Sequence, residues 1–565
     1  MSEQQQGQSS SSATTTDETK LTPEEKKALR EQRKKESEEK KRQRQLEREQ
    51  QQKAALEAQI VRITEEEFLN QSKSFGHIPT IRSTYQTEQK FDQVKDIDAS
   101  YHDKIVTLRS RIHTVRGQGK SCFILLREGC FSIQATLFAQ DEEGKAMAKY
   151  AQKLTKESIV QMVGKVVKVE QEITSATQKD VEVQIHKIYC ISTATGLPIQ
   201  IEDCMKVETK EEQMKANMAE LEEAKAEEEG TGPKAVGQKL RLDNRVIDMR
   251  APAQLAIFKI QSAMGRFFRE FLYGLDFTEI HTPKLIATAS EGGAEVFKVH
   301  YFDRFAYLAQ SPQLYKQMAV VGDLMKVFEI GPVFRAEKSF THRHLTEFVG
   351  LDIEMAIKSH YTEALEVIDK MFIYIFNRLE KDFARELEII RAQYPFEPII
   401  YNQEKNLRIP YSQAITLLNE KHNLGLALDE DINSTQERML GEIIREKYNT
   451  DFFIVDKFPL KLRPFYTMPC PEDPTLSNSY DIYLRGEEIS SGAQRIHDAE
   501  LLQQNAKEKG VDLTPIQAYV DAFKYGAWPH AGCGVGLERI VMLYLGLGNV
   551  RKTSMFPRDP NRVTP

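Results

Sequence analysis

The stretch Gly331–Ile357, GPVFRAEKSFTHRHLTEFVGLDIEMAI, constrains this 565-residue chain more than any other. Val349, Leu351, Ile353 and Met355 alternate with Phe348, Gly350, Asp352 and Glu354, the two-residue period of a strand with one buried face. The opposite face then carries one aromatic ring and two carboxylates. Arg335 and Glu337 share a face of a preceding extended run, Val327–Glu337, and Thr341–Leu345 supply the turn, with Arg343 and His344 on it. Taken singly, each residue fits an ordinary hairpin with a solvated outer face. Together, two arginines beside a stackable ring suggest a nucleotide lying flat on a sheet.

The chain is long enough for three or four domains, and its 40% apolar content supplies large cores. A net charge of -7 does not advertise nucleic-acid binding, so any such site must be a local patch. The six cysteines (Cys122, Cys130, Cys190, Cys204, Cys470, Cys533) form no CxxC pair and no metal-ligand spacing, which fits a reducing compartment. The polar N-terminus lacks the apolar core of a signal peptide, and no 18-residue apolar run occurs. These features predict a soluble cytosolic protein without a membrane partner.

Residues 1–75 are expected to form a charged extension, disordered or helical. Between Lys20 and Lys53 basic residues outnumber acidic ones and apolar residues are sparse, so a helix there lacks a packing face. It is either a solvated tail or an arm that binds RNA backbone. Residues 76–205 contain short strands split by polar turns, with one helical insert near Glu142–Tyr150, the pattern of a five-stranded OB barrel. Phe123 and Gln134 fall on its second and third strands, where such barrels stack single-stranded bases, although periodicity alone equally allows Phe123 a core position. Residues 206–245, dense in Glu and Lys, are expected to be a linker or hinge.

Residues 246–565 make one large α/β unit. Pro252–Tyr273 is an amphipathic helix with Leu255, Phe258, Phe267 and Phe271 as its stripe. Pro283 interrupts the strand that follows, which points to an edge or a dimer seam. Ser311 caps a helix on which Gln313 and Lys316 share a face away from Leu314, Met318 and Val321. Residues 357–465 read as mostly helical. SYDIYLRGEEISSGAQRIHD (479–498) is a hairpin turning near Gly486, with Asp481 and Glu488 placed to hold Mg²⁺ through nucleotide phosphates. HAGCGVGLERIVMLYLGL passes from glycines into a closing helix. Its GxGxxG-like spacing is no dinucleotide fingerprint, because too little chain follows for the acidic ribose binder. Close backbone approach to a nucleotide, with Arg539 reaching phosphate, remains.

FRAE…RHLTEF, the proline-bearing strand and GVGLER together resemble the three motifs of class II aminoacyl-tRNA synthetases. The preceding OB domain resembles the aspartate, asparagine and lysine subgroup, and QSPQLYKQ, EISSGAQRIHD and FPRDPNRVTP resemble its aspartyl members of the eukaryotic cytosolic type. The resemblance covers about residues 75–565 and lacks the large insertion domain of bacterial members. It implies an α+β fold with an antiparallel catalytic sheet flanked by helices. It implies ATP and Mg²⁺, L-aspartate and tRNA(Asp) as reactants and partners, and a homodimer.

The resemblance also carries roles. Arg335 would hold the α-phosphate and the aspartate carboxylate, Phe348 would stack on adenine, and Glu337 would meet the exocyclic amine. Arg343 and His344 would reach the distal phosphates, and Arg539 the γ-phosphate, with Leu345, Gly536, Leu537 and Glu538 completing the nucleotide site. Arg335, Glu488 and Arg539 would be the catalytic groups. Asp481 and Glu488 would ligate Mg²⁺, with Ser491 close by. Glu291, Gln313 and Asp352 would recognise the ammonium of aspartate, Lys316 and Arg495 its side-chain carboxylate, and SEGGAEVF (290–297) would close over it. Phe123, Gln134 and Glu182 would read the anticodon. The rival readings are an asparaginyl- or lysyl-type sister enzyme, an ammonia-dependent asparagine synthetase, and an inactive RNA-binding paralogue.

Overall fold

Alternation of apolar and polar residues from Ile105 onward builds a closed barrel. A computed structural model describes residues 69, 73–83, 86–118, 120–209, 211–215, 217, 237–287 and 296–565. A short strand β1 (Phe75–His77) precedes β2 (Ile105–Gln118), β3 (Ser121–Glu128), β4 (Phe131–Phe138), β5 (Ile159–Lys168) and β6 (Val181–Ser192). The order β6-β4-β3-β2-β5 closes through a β5–β6 pairing, giving the expected five-stranded barrel with the helix Glu142–Ala151 between β4 and β5. On β3, Cys122, Ile124 and Leu126 point into the core, so Phe123 belongs to the outer face. All six cysteines are free and buried.

The larger unit is built on an eight-stranded sheet. Its strands are β7 (Thr278–Glu279), β11 (Lys326–Phe334), β12 (Glu347–Ala356), β13 (Leu407–Pro410), β14 (Phe452–Asp456), β15 (Ser479–Leu484), β16 (Glu487–Gln494) and β17 (His530–Gly536). The order is β13-β14-β15-β16-β17-β12-β11-β7. The six central strands are antiparallel, as expected, while both edges add parallel pairings, β13 to β14 and β7 to β11. A separate small sheet holds β8 (Leu285–Ile286), β10 (Arg304–Leu308) and β9 (Lys298–Tyr301). The helix Pro252–Tyr273 starts on Pro252 as read and packs Phe267 and Phe268 fully into the core. The 479–498 hairpin turns through Arg485 and Gly486, both at positive φ, the backbone of a tight two-residue hairpin turn.

Several sequence expectations are corrected. The β11 strand ends at Phe334, so Glu337 lies in the loop, and Arg335 makes only one further rung, its N–H donating to Thr346 O at 2.9 Å. Residues 357–465 contain β13 and β14 as well as helices. The run FFIVD of β14 is buried on both faces and so lacks alternation. The glycines of HAGCGVG form β17, a central strand. The helix after Ser311 begins at Gln313, one residue later than read, with Ser311 Oγ accepting from the Gln313 N–H at 3.3 Å. The charged segment Lys20–Lys53, much of the 206–245 linker and Glu291 lie outside the described residues.

Part of the expected hinge is a packed junction. Gln238–Asp243 and Arg245–Asp248 are helical, and Asp248, fully buried, accepts from Arg241 Nε at 2.6 Å and from Arg245 Nη1. Arg245 also donates to Ser554 O at 2.6 Å and Met555 O at 2.8 Å. The barrel docks beside this knot, where Arg127 donates to Arg250 O at 2.9 Å and Glu157 pairs with both arginines. Removing Asp248 takes the carboxylate from Arg245 and leaves Arg241 with Glu208, so Asp248→Ala is expected to cost about 3–5 kcal/mol. Urea unfolding of the catalytic domain checks this, and a midpoint equal to the parent's contradicts it.

Candidate active site

The cleft lies on the face of the sheet that β12, β16 and β17 share, and glycine makes room for it. In register, Gly350 faces Gly536, Asp352 faces Gly534, and Glu354 faces Gly532. A Cβ at residue 532 would sit 2.0 Å from Ile353 O and 2.5 Å from Glu354 Oε2. A Cβ at residue 534 would sit 3.1 Å from Asp352 Oδ1. Side chains therefore rise from β12 only because β17 offers none there.

Beneath the floor is a buried charge quartet. Lys316 is 1% exposed, and its ammonium donates to Asp352 Oδ1 at 3.0 Å, Cys533 O at 2.9 Å and Ile353 O at 3.3 Å. Glu354, fully buried, lies 3.4 Å from the same ammonium. Arg495 grips Glu354 with two bonds, Nε to Oε1 at 3.0 Å and Nη2 to Oε2 at 3.2 Å. Nη2 also donates to Gly532 O. Burial alone would raise the Glu354 carboxyl, but Arg495 and Lys316 hold it below its usual range. Burial would likewise weaken the Arg495 cation, and Glu354 more than offsets this. Sequence reasoning placed Glu354 on the correct face but gave it no role. It is the group that orients both expected carboxylate binders. Arg495 lines the cleft, whereas Lys316 sits one layer below it, holding Asp352.

The cleft, about 330 Å³, opens above this quartet. Arg335, Glu337, Arg343, His344, Leu345, Phe348, Gln313, Asp352, Glu488, Ser491, Arg495, Gly536, Glu538 and Arg539 line it. The Arg335 guanidinium lies 5.5 Å from the centre of the Phe348 ring, and Glu337 lies 4.0 Å from Arg335. Gln313 is buried, and its Nε2 has no hydrogen-bond partner among the described residues, as a group awaiting a ligand would. Leu537 points instead into the core, and Glu538 accepts from the Val349 N–H at 3.0 Å. Burial pushes the Glu538 carboxyl up to about 7, partly offset by that amide.

One end of the cleft is electropositive. Arg343 is held by Glu437 at 2.7 Å, and Arg539 donates to the carbonyls of Glu488 and Arg343. Burial, then the charges of Arg539, Arg343, His342 and Arg335, depress His344 to about 4. Opposite, burial and the neighbouring Asp481 charge raise Glu488 to about 7, against the pull of Arg539. Both Asp481 oxygens accept from Arg463, at 3.0 and 2.8 Å, and Arg463 also donates to Ser491 Oγ at 3.1 Å. No group of three or more metal-ligating side chains exists among the described residues. Mg²⁺ binds one or two carboxylates and completes its shell with phosphates and water, and Glu488, close enough to Asp481 to feel its charge, offers such a carboxylate.

On the barrel, Gln134 Nε2 donates to Glu182 Oε2 at 3.0 Å, and Thr136 donates to Oε1 at 3.2 Å, so β4 fixes the Glu182 carboxylate. Phe123 stands edge-on to Phe138, 5.9 Å between ring centres, and together with Arg116 and Gln134 lines an open groove. The three barrel residues thus share one surface.

An anion at the positive end should relieve the pressure on His344. Pyrophosphate is therefore expected to raise its pKa from about 4 toward the ordinary imidazole value. Imidazole NMR shifts measured across pH 4–8 check this, and an unchanged titration contradicts it.

The sequence-family model "tRNA synthetases class II (D, K and N)" matches residues 237–560, and "OB-fold nucleic acid binding domain" matches residues 106–191. The human cytoplasmic aspartate--tRNA ligase is 50% identical over 490 residues, covering 86% of this chain and 94% of that one. The Dictyostelium discoideum cytoplasmic aspartate--tRNA ligase 1 is 47% identical, covering 88% and 90%. The solved aspartyl-tRNA synthetase of Entamoeba histolytica superposes with a TM-score of 0.78 at 46% identity, covering 87% of this chain and 97% of that one. With both its barrel and its catalytic sheet matched, the chain belongs to the class II tRNA synthetases and, within them, to the aspartate--tRNA ligase family.

Proposed function

We propose that the cleft condenses L-aspartate with ATP and that the barrel selects tRNA(Asp) for the second half of the reaction. The observation that carries this reading is the meeting, in one cleft, of an arginine-flanked aromatic shelf and a floor of buried cations. The aspartate α-carboxylate attacks the α-phosphorus, the bond to the β-phosphate oxygen breaks, and aspartyl-adenylate and pyrophosphate result. The nucleophile is already an anion, so no protein base is needed. Positioning and fixed positive charge supply the rate. Arg335 serves the α-phosphate and the attacking carboxylate, and Phe348 and Arg539 sandwich the adenine, with Glu337 at its amine. Arg343, on leaving Glu437, and His344 meet the distal phosphates. Glu488 with Asp481 would hold Mg²⁺, which supplies further charge neutralisation on the phosphates when bound. The terminal ribose hydroxyl of the tRNA then attacks the acyl carbon and releases AMP.

Gln313 and Asp352 meet the substrate ammonium in this reading. Arg495 offers Nη1, the nitrogen that Glu354 and Gly532 do not engage, to the side-chain carboxylate. Lys316 joins it when Asp352 turns to the substrate. A neutral amide would give Arg495 Nη1 no anionic acceptor, which disfavours asparagine. A homodimer is proposed on family grounds and on Pro283, which lies exposed beside the half-exposed Leu285. The relatives are named cytoplasmic, and no helix among the described residues is long and apolar enough to cross a membrane.

Exchange of pyrophosphate into ATP, with each amino acid supplied alone, is expected with aspartate only. Exchange with asparagine or lysine instead contradicts the assignment. Arg335→Ala is expected to slow the aspartate-dependent exchange by roughly 10²–10³-fold; a rate near the parent's removes Arg335 from the chemistry. Phe123→Ala is expected to weaken tRNA binding by about 1–3 kcal/mol while leaving tRNA-independent exchange intact. Equal tRNA affinity in filter binding would remove Phe123 from the interface.

A further inference from the structure

The loop between β11 and β12 carries Arg343 and His344 but has no regular structure of its own. A segment distant in sequence holds it. The Val550 N–H donates to His342 O at 2.8 Å, and Arg551 Nη1 donates to Thr341 O at 3.0 Å. The Arg551 guanidinium lies 4.1 Å from the centre of the Phe340 ring. At the loop's other end the Thr346 N–H donates to Arg558 O at 2.9 Å. Arg551 is itself aimed by Asp559, Nε to Oδ2 at 2.7 Å, with both side chains 2% exposed. The back of the segment is fixed to the junction helices by Arg245, and Gln254 Nε2 donates to Lys552 O at 2.7 Å.

We infer that Val550–Arg558 is a strap that sets the position of the phosphate-binding loop, with Arg551 as its positioning residue. This rests on the assignment of Arg343 and His344 to the distal phosphates. A guanidinium so deeply buried gains little stability over a well-packed apolar side chain. What it adds is direction, because one rigid fork spans Asp559, the Thr341 carbonyl and the Phe340 ring. Arg551 does not line the cleft, so it acts through the loop. The Arg343 carbonyl accepts from Arg539 Nη2 at 3.4 Å, so a displaced loop also disturbs Arg539. Loss of the fork therefore falls on the triphosphate end of the cleft and spares the amino-acid end, where the quartet stands on β12, the residue after β16 and the helix that begins at Gln313.

The test is pyrophosphate exchange by the full-length parent and the Arg551→Lys, Asp559→Asn and Arg343→Ala variants, with KM for ATP and aspartate taken separately. Hydrogen exchange over residues 340–346 is followed in parallel. Lysine keeps the charge but loses the fork. It is expected to raise KM for ATP about tenfold or lower kcat comparably, with KM for aspartate within about twofold of the parent's. Faster exchange in the loop should accompany the change. Asp559→Asn, which never touches the loop, should give a smaller change of the same kind and carries the test if Arg551→Lys fails to fold. The inference is overturned if Arg343→Ala raises KM for ATP but the strap variants match the parent, or if they raise both KM values equally. If Arg343→Ala leaves KM for ATP unchanged, the phosphate assignment itself fails and takes the strap with it.

Discussion

Two cations and two carboxylates buried under one sheet are the constraint on which the catalytic unit depends. Lys316, Asp352, Glu354 and Arg495 come from a helix, from β12 and from the residue that follows β16, and none is stable in the interior alone. Their pairing requires that β17 lie between β12 and β16 without side chains on that face, and Gly532, Gly534 and Gly536 meet the requirement. Strand order, glycine placement and site electrostatics are thus one arrangement. The remaining fixed charges are graded along the cleft, from this compensated quartet to the cluster of Arg335, Arg343 and Arg539 around His344. A substrate with an amino-acid end and a polyphosphate end matches that gradient.

The same logic explains the opposing shifts at the nucleotide end. His344 is driven down and Glu488 up, so each is placed to change its surroundings when phosphates and a cation enter together. Arg343 rests on Glu437 and Asp481 on Arg463, so each charge has an internal partner.

Much of this was legible in the sequence, and the failures have physical causes. The alternation around Asp352 located the central strand because one of its faces is uniformly apolar. The barrel, the helix starting at Pro252 and the hairpin at Gly486 were legible from period, proline and turn chemistry. β14 was missed because a strand buried on both faces has no alternation. β17 was missed because its glycines were assigned no element ahead of the closing helix, although Gly532, Gly534 and Gly536 alternate with Cys533 and Val535 at the strand period. Glu354 was seen but left without a role, since only the fold brings Arg495 to it from more than a hundred residues away. The depth of Lys316 was equally hidden, because a helix surface position does not reveal that a sheet will cover it.

The quartet's part in selectivity can be measured directly by titration calorimetry of the parent enzyme with L-aspartate and with L-asparagine, without tRNA or ATP. The Arg495 nitrogen that Glu354 and Gly532 do not engage predicts aspartate binding tighter by roughly 10²-fold or more, because a neutral amide gives it no anionic acceptor. Equal affinities would mean that Glu354 and Asp352 neutralise Lys316 and Arg495 completely, and that selection of the amino acid lies elsewhere.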